Sequence, residues 1–141
     1  EELLHSLVVP TLQAGKHVFS DRGDSSTFAY QIYGEQNDHL ISAFVMMRDL
    51  VFRQAGRQPP DLYIIFDLPA EVARERVMAA GGIKGNHFDT RNLAYYERVR
   101  NGFWDFHSQA SSVVFVDASG TPEQVHDLVL EVLLEKGITA E

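Results

Sequence analysis

Two short apolar runs, each closed by an acid, constrain this chain more than any other feature: Leu62-Tyr63-Ile64-Ile65-Phe66-Asp67 and Val113-Val114-Phe115-Val116-Asp117. Neither alternates polar with apolar residues, so each reads as a strand buried on both faces, the pattern of a parallel sheet covered by helices. The turn Arg57-Gln58-Pro59-Pro60 introduces the first run, which starts at Asp61. A third strand is predicted for His17-Val18-Phe19-Ser20-Asp21, after the turn Ala14-Gly15-Lys16.

Helical patterns fill the intervals. Leu3, Leu4, Leu7, Val8 and Leu12 recur at helical spacing up to Gly15. Asp24-Ser25-Ser26 can cap a helix to about Tyr33, and a wide apolar stripe marks a helix from His39 to Ala55. Leu68-Pro69 opens another, with Pro in its first turn and Glu71 near its positive end, lasting to about Ala80. A long helix is expected from Thr90 to about Ala110, and a last one from Thr121 to Gly137. Elements alternating at these lengths predict an α/β domain with helices on both faces of a parallel sheet. The stretch from Gly81 to Asp89, with three glycines and no periodicity, reads as a mobile lid.

The chain has 141 residues, 45% of them hydrophobic, enough to bury one core. Its net charge of −8, with no run of Lys or Arg, removes the electrostatic footprint of a nucleic-acid or anionic-membrane binder. With no cysteine, thiolate chemistry and Cys-type zinc sites are excluded. No apolar run approaches the roughly 20 residues of a membrane span, and the expected location is the cytoplasm.

The chemistry is concentrated in Asp21-Arg22 and the following Ser26-Thr27-Phe28-Ala29-Tyr30-Gln31. An acid, a cation and a polar-aromatic cluster directly after a predicted strand read as a phosphate and nucleotide site, at the sheet edge where open α/β folds bind ligands. The run Asp21-Arg22-Gly23-Asp24-Ser25-Ser26-Thr27-Phe28-Ala29-Tyr30-Gln31 resembles the pattern D-R-x-x-x-S-[TN]-x-A-Y-Q of thymidylate kinases, nucleoside monophosphate kinases of the P-loop class. Three segments support the resemblance in register: Val9 to Gly15, Pro60 to Ala73 with Arg76, and Asn86-His87-Phe88-Asp89 before a helix carrying Arg98-Val99-Arg100. The final Val116-Asp117-Ala118-Ser119-Gly120, with Glu123 and Val125, also matches.

The resemblance implies a three-layer α/β/α parallel sheet of P-loop NTPase type and transfer of the γ-phosphoryl group of ATP, with Mg²⁺, to dTMP. Such transfer depends on placing charge around two phosphate chains. Carried over by position, Arg22 would hold the acceptor phosphate and Asp21 would stand beside the Mg²⁺ region without necessarily touching the ion. Ser26, Thr27 and Gln31 would face the base and its surroundings, and Tyr30 would lie against the deoxyribose. Lys84 and His87 would belong to the lid, with Lys84 reaching the phosphates. Arg98 would brace the lid or the substrate cluster. His87 stands where the family usually carries Arg, and Ile32-Tyr33 separate Gln31 from Gly34. The family commonly forms homodimers, for which the helix from His39 to Ala55 offers a seam.

No G-x-x-x-x-G-K-[ST] pattern occurs in the chain. Beginning at Glu1 in what reads as mid-helix, the sequence is expected to be the carboxyl-terminal two thirds of one domain, incomplete at its amino end and without turnover alone. Two other readings stay open: a kinase for another deoxynucleoside monophosphate, and a noncatalytic nucleotide-binding homologue. Asp67 and Asp117 are expected to cap helices or turns, and Tyr95, Phe103, Trp104 and Phe106 to lie in the core. Arg74 is expected to make solvated pairs on its own helix.

Overall fold

A computed structural model describes residues 2–79 and 92–139. The expected lid, with Lys84 and His87, lies outside the described residues. A π-helical turn, Leu4–Val8, continues into α1 (Val9–Gln13), which stops at Gly15 with a positive φ of 73°. The helical run α2 begins as α-helix at Asp24–Ser26 and continues unbroken as the π-helical stretch Thr27–Gly34. A 3₁₀ turn at Asp38–Leu40 leads into α3 (Ile41–Gln54). Then follow β1 (Tyr63–Asp67) and α4 (Ala70–Ala79). The helix α5 (Leu93–Asp105) ends in the 3₁₀ turn Phe106–Gln109, and β2 (Val113–Asp117) and α6 (Pro122–Glu135) complete the order.

The two acid-closed runs pair with each other in parallel, Tyr63 opposite Val113 through Asp67 opposite Asp117. Among the described residues the sheet has these two strands, so the fold is α/β, helix-rich around a small parallel sheet. The predicted strand His17–Asp21 is not one. A strand exists only through a ladder partner. This stretch forms none among the described residues, and Phe19 is 71% exposed. Its β-prone composition reports local preference and cannot supply a neighbour.

The core forms where α2 meets the sheet and α5. Phe28, Ile32, Tyr63, Ile65 and Phe106 are buried together, with Phe44, Phe103 and Phe115 packed against them. Residues Ala29, Tyr95 and Val99 make a second cluster between α2 and α5. The approach of these helices is close: a Cβ at Gly102 would stand 2.8 Å from both the Ala29 Cα and the Tyr33 Cβ. Sequence periodicity therefore places Tyr95 and Phe106 in the core, as expected. Trp104 instead lies partly in solvent and stacks on Phe115 at 4.1 Å between ring centroids and 9° between planes.

Local chemistry explains the ends of several helices. Asn92 caps α5 by accepting from the Tyr95 amide, and Thr121 with Gln124 makes a reciprocal capping box on α6, with Pro122 in its first turn. Asp117 accepts from the Ser119 amide at 2.8 Å, so it holds a turn beyond β2 as its position suggests.

Candidate functional site

Arg22 occupies the left-handed region, φ 67°, which a side-chain-bearing residue adopts at a cost. Its carbonyl accepts the Ser20 hydroxyl at 2.9 Å, and Gly23 follows in an extended conformation before α2 begins at Asp24. This tight passage delivers the Arg22 guanidinium over the Tyr30 ring, 5.4 Å from its centroid. An exposed cation against an aromatic face keeps a defined position while its N–H groups stay available to an anion.

The helical run from Asp24 to Gly34 divides its residues by side. Phe28, Ala29 and Ile32 are buried, while Ser26, Thr27 and Tyr30 are partly exposed and Gln31 is exposed. Tyr30 meets Phe103 edge-on at 5.7 Å, which anchors the ring beneath Arg22 from the α5 side. Asn37 reaches back to donate its side-chain amide to the Gln31 carbonyl at 3.0 Å. Asp21, immediately before Arg22, is exposed. The structure thus gathers Arg22 with Tyr30 at the amino end of this run. It places Arg98 at the other end, where Nε and Nη2 donate to the Gly34 carbonyl at 3.1 and 2.9 Å. Lys84 and His87 lie outside the described residues.

A charged cluster that sequence reasoning passed over lies behind α2. Arg48 of α3 donates from Nε to Asp24, from Nη1 to the Gln109 carbonyl at 3.0 Å and from Nη2 to the Tyr63 hydroxyl at 3.0 Å. The Tyr63 hydroxyl donates in turn to the Asp24 carboxylate, 3.0 Å from each oxygen. The Arg48 side chain is only 7% exposed, and its guanidinium lies 5.7 Å from the centroids of both Phe52 and Phe106. Burial works against the Arg48 charge, but the bonds to Asp24 and Tyr63 outweigh it and raise the group above its ordinary value. Burial also pushes the Tyr63 hydroxyl up; Arg48 opposes that and the Asp24 charge reinforces it. The available signal was Arg48 beside the apolar stripe of its helix and Tyr63 within an apolar strand.

At the carboxyl ends of β1 and β2 the acids do different work. Asp67 does not cap a helix: Arg100 of α5 holds it through two bonds of 2.8 Å, and the Trp104 indole adds one of 3.1 Å. Beyond β2, Arg76 of α4 donates to the carbonyls of Ala118 and Ser119, at 2.8 Å each, and fixes the following loop. Phe66, Arg76, Gly120 and His126 help line an open cleft there, of about 700 Å³. Among the described residues no three of His, Asp and Glu gather as a metal cage, and no helix is long and apolar enough to cross a membrane.

A family model described as thymidylate kinase matches residues 1–129. Thymidylate kinases of similar sequence include that of Citrifermentans bemidjiense, 31% identical over 138 residues, covering 94% of this chain and 59% of that protein. The thymidylate kinase of Aster yellows witches'-broom phytoplasma is 29% identical over 136 residues, 95% of this chain and 63% of its own length. That of Geobacter sp. is 31% identical over 135 residues, 92% and 58% of the two chains. The chain thus spans about three fifths of the length of the curated relatives it matches. Motif, fold and relatives agree, and the chain belongs to the thymidylate kinase family.

Proposed function

We propose that the full-length protein transfers the γ-phosphoryl group of ATP to the 5′-phosphate of dTMP, giving dTDP for dTTP synthesis. The observation that carries this reading is the Arg22 guanidinium held over Tyr30, beside the polar residues of α2. In this account Arg22 takes the acceptor phosphate with its planar fork. Tyr30 supports that cation and meets the deoxyribose, while Ser26, Thr27 and Gln31 line the approach of the base. Lys84 and His87 serve the lid, and Arg98 secures α2 through Gly34. Residues 1–141 form one domain of three-layer P-loop type.

Mg²⁺ is ordinarily bound by one or two carboxylates together with substrate phosphates, so the exposed Asp21 carboxylate suits it without a cage of protein ligands. That ion would neutralise charge on the transferring group. The G-x-x-x-x-G-K-[ST] pattern does not occur in these 141 residues, and Arg22, Ser26, Thr27, Tyr30 and Gln31 serve the acceptor side in this account. His87, standing where the family usually carries Arg, favours a second reading as a nucleotide-binding homologue without turnover.

A homodimer through α3 also belongs to the proposal. Ala43, Met46, Met47 and Leu50 repeat at helical spacing on one exposed stripe, with Met46 and Met47 at 74% and 65% exposure. The test of function is a coupled assay on the full-length protein with dTMP, dUMP, dCMP and dGMP. The account expects kcat/KM for dTMP to lead by about tenfold or more. Equal turnover of all four would remove the base preference, and no turnover of any would favour the noncatalytic reading.

A further inference from the structure

The largely buried cluster of Asp24, Arg48 and Tyr63 asks for a reason beyond stability. Taking two opposite charges out of water costs their hydration, and well-packed apolar residues of similar volume commonly do as well or better. What the cluster does provide is fixed geometry. A planar guanidinium with three directed bonds, confined between Phe52 and Phe106, allows Asp24 one position relative to β1, α3 and the Gln109 carbonyl. The Tyr63 hydroxyl, on both Asp24 oxygens, also fixes the rotation of the carboxylate.

Asp24 is two residues beyond Arg22, and hydrogen bonds hold the backbone carbonyls of Arg22 and Gly23 between them. Arg22 sits at φ 67°, its carbonyl is held by Ser20, and the Gly23 carbonyl accepts the Ser26 amide at 3.1 Å. Whatever fixes Asp24 therefore fixes where the chain turns at Arg22 and which way that side chain leaves. We propose that Arg48 and Tyr63 are positioning residues: through Asp24 they aim the Arg22 guanidinium and so set the strength of its grip on the acceptor phosphate. The inference rests on the reading of Arg22 as the phosphate-binding cation. Neither Arg48 nor Tyr63 touches the nucleotide in this account.

A merely structural cluster would change stability and nothing else. The experiment therefore compares binding of dTMP and of thymidine by calorimetry, using the full-length protein and its Tyr63→Phe, Arg48→Lys and Arg22→Ala variants. Melting temperatures and KM for both substrates are recorded alongside. Tyr63→Phe keeps the ring that packs in the core and removes only the hydroxyl, so it decides the matter even if Arg48→Lys fails to fold. The proposal expects Tyr63→Phe to weaken dTMP binding about five- to tenfold, with thymidine binding and KM for ATP unchanged. It further expects Tyr63→Phe to have no added effect on dTMP in the Arg22→Ala background. The inference is overturned if Tyr63→Phe lowers the melting temperature but leaves dTMP binding intact, if it weakens dTMP and thymidine alike, or if it acts equally with and without Arg22. Unchanged dTMP binding in Arg22→Ala itself would overturn the reading of Arg22, and this inference with it; the other failures would leave that reading standing.

Discussion

Arg100 grips both oxygens of Asp67 at 2.8 Å, joining the carboxyl end of β1 to the middle of α5. The bond to Arg100 holds the Asp67 carboxyl below the usual carboxylate range, partial burial opposes this, and the Trp104 indole adds to it. A carboxylate whose folded pKa is depressed contributes stability that is present above its unfolded value, near 3.9, and is lost as pH falls through the folded value. Asp67→Asn is expected to lose about 1 kcal/mol at neutral pH, after allowance for the solvent around Arg100. Urea unfolding across acid pH checks this: the gap between parent and variant should close below about pH 4. A gap independent of pH would mean that the pair does not supply the stability.

Gly102 sits where α5 comes closest to α2. Alanine there would gain up to about 1 kcal/mol of helix preference, but its Cβ would meet the Ala29 backbone at 2.8 Å, which cannot move aside as a flexible side chain could. Gly102→Ala is expected to destabilise the fold by about 1–2 kcal/mol net. Denaturant midpoints measure it, and a variant as stable as the parent would show that the helices can part without cost.

The Tyr33 hydroxyl is pushed up to about 12, first by burial, then by its bond to Asp105 and that residue's charge, with Asp38 adding to it. Its protonated form is favoured in the fold. The associated stability is complete below the unfolded value near 10 and is lost as pH rises through about 12. In a rapid pH-jump titration of tyrosinate absorbance, Tyr33→Phe should delete a late step, and Asp105→Asn should move that step to lower pH. A step unmoved by Asp105→Asn would contradict the assignment to that pair.

For the proposed seam on α3, Met46→Lys or Met47→Lys would place a charge in an apolar contact. Sedimentation equilibrium of the full-length protein is expected to show a dimer weakened about tenfold or more by either change. An unchanged association constant would move the seam elsewhere.

The legible parts of this fold were those in which local pattern and burial agree. The runs ending in Asp67 and Asp117 are continuous and apolar, and both became strands within two residues of expectation. His17 to Asp21 has similar local preference but no partner among the described residues, and pairing is a nonlocal fact. The site shows the same division. Arg22 and Tyr30 lie eight positions apart in one local segment, and the turn at Arg22 brings its guanidinium back over the ring. Arg48, Tyr63 and Asp24 meet only through tertiary folding, as do Asp67 and Arg100, and their individual positions do not announce their partners. What the sequence does carry at Arg48 and Tyr63 is a polar group set within an apolar pattern, which must find a partner once buried.

The central claim is that Arg22 recognises the phosphate of the acceptor. Calorimetry of dTMP against thymidine on the full-length protein, with and without Arg22→Ala, isolates that contact because the two ligands differ only by the phosphate. The account predicts that the parent prefers dTMP by about tenfold or more and that Arg22→Ala abolishes the preference while leaving thymidine binding unchanged. A preference for dTMP that survives in Arg22→Ala would contradict it.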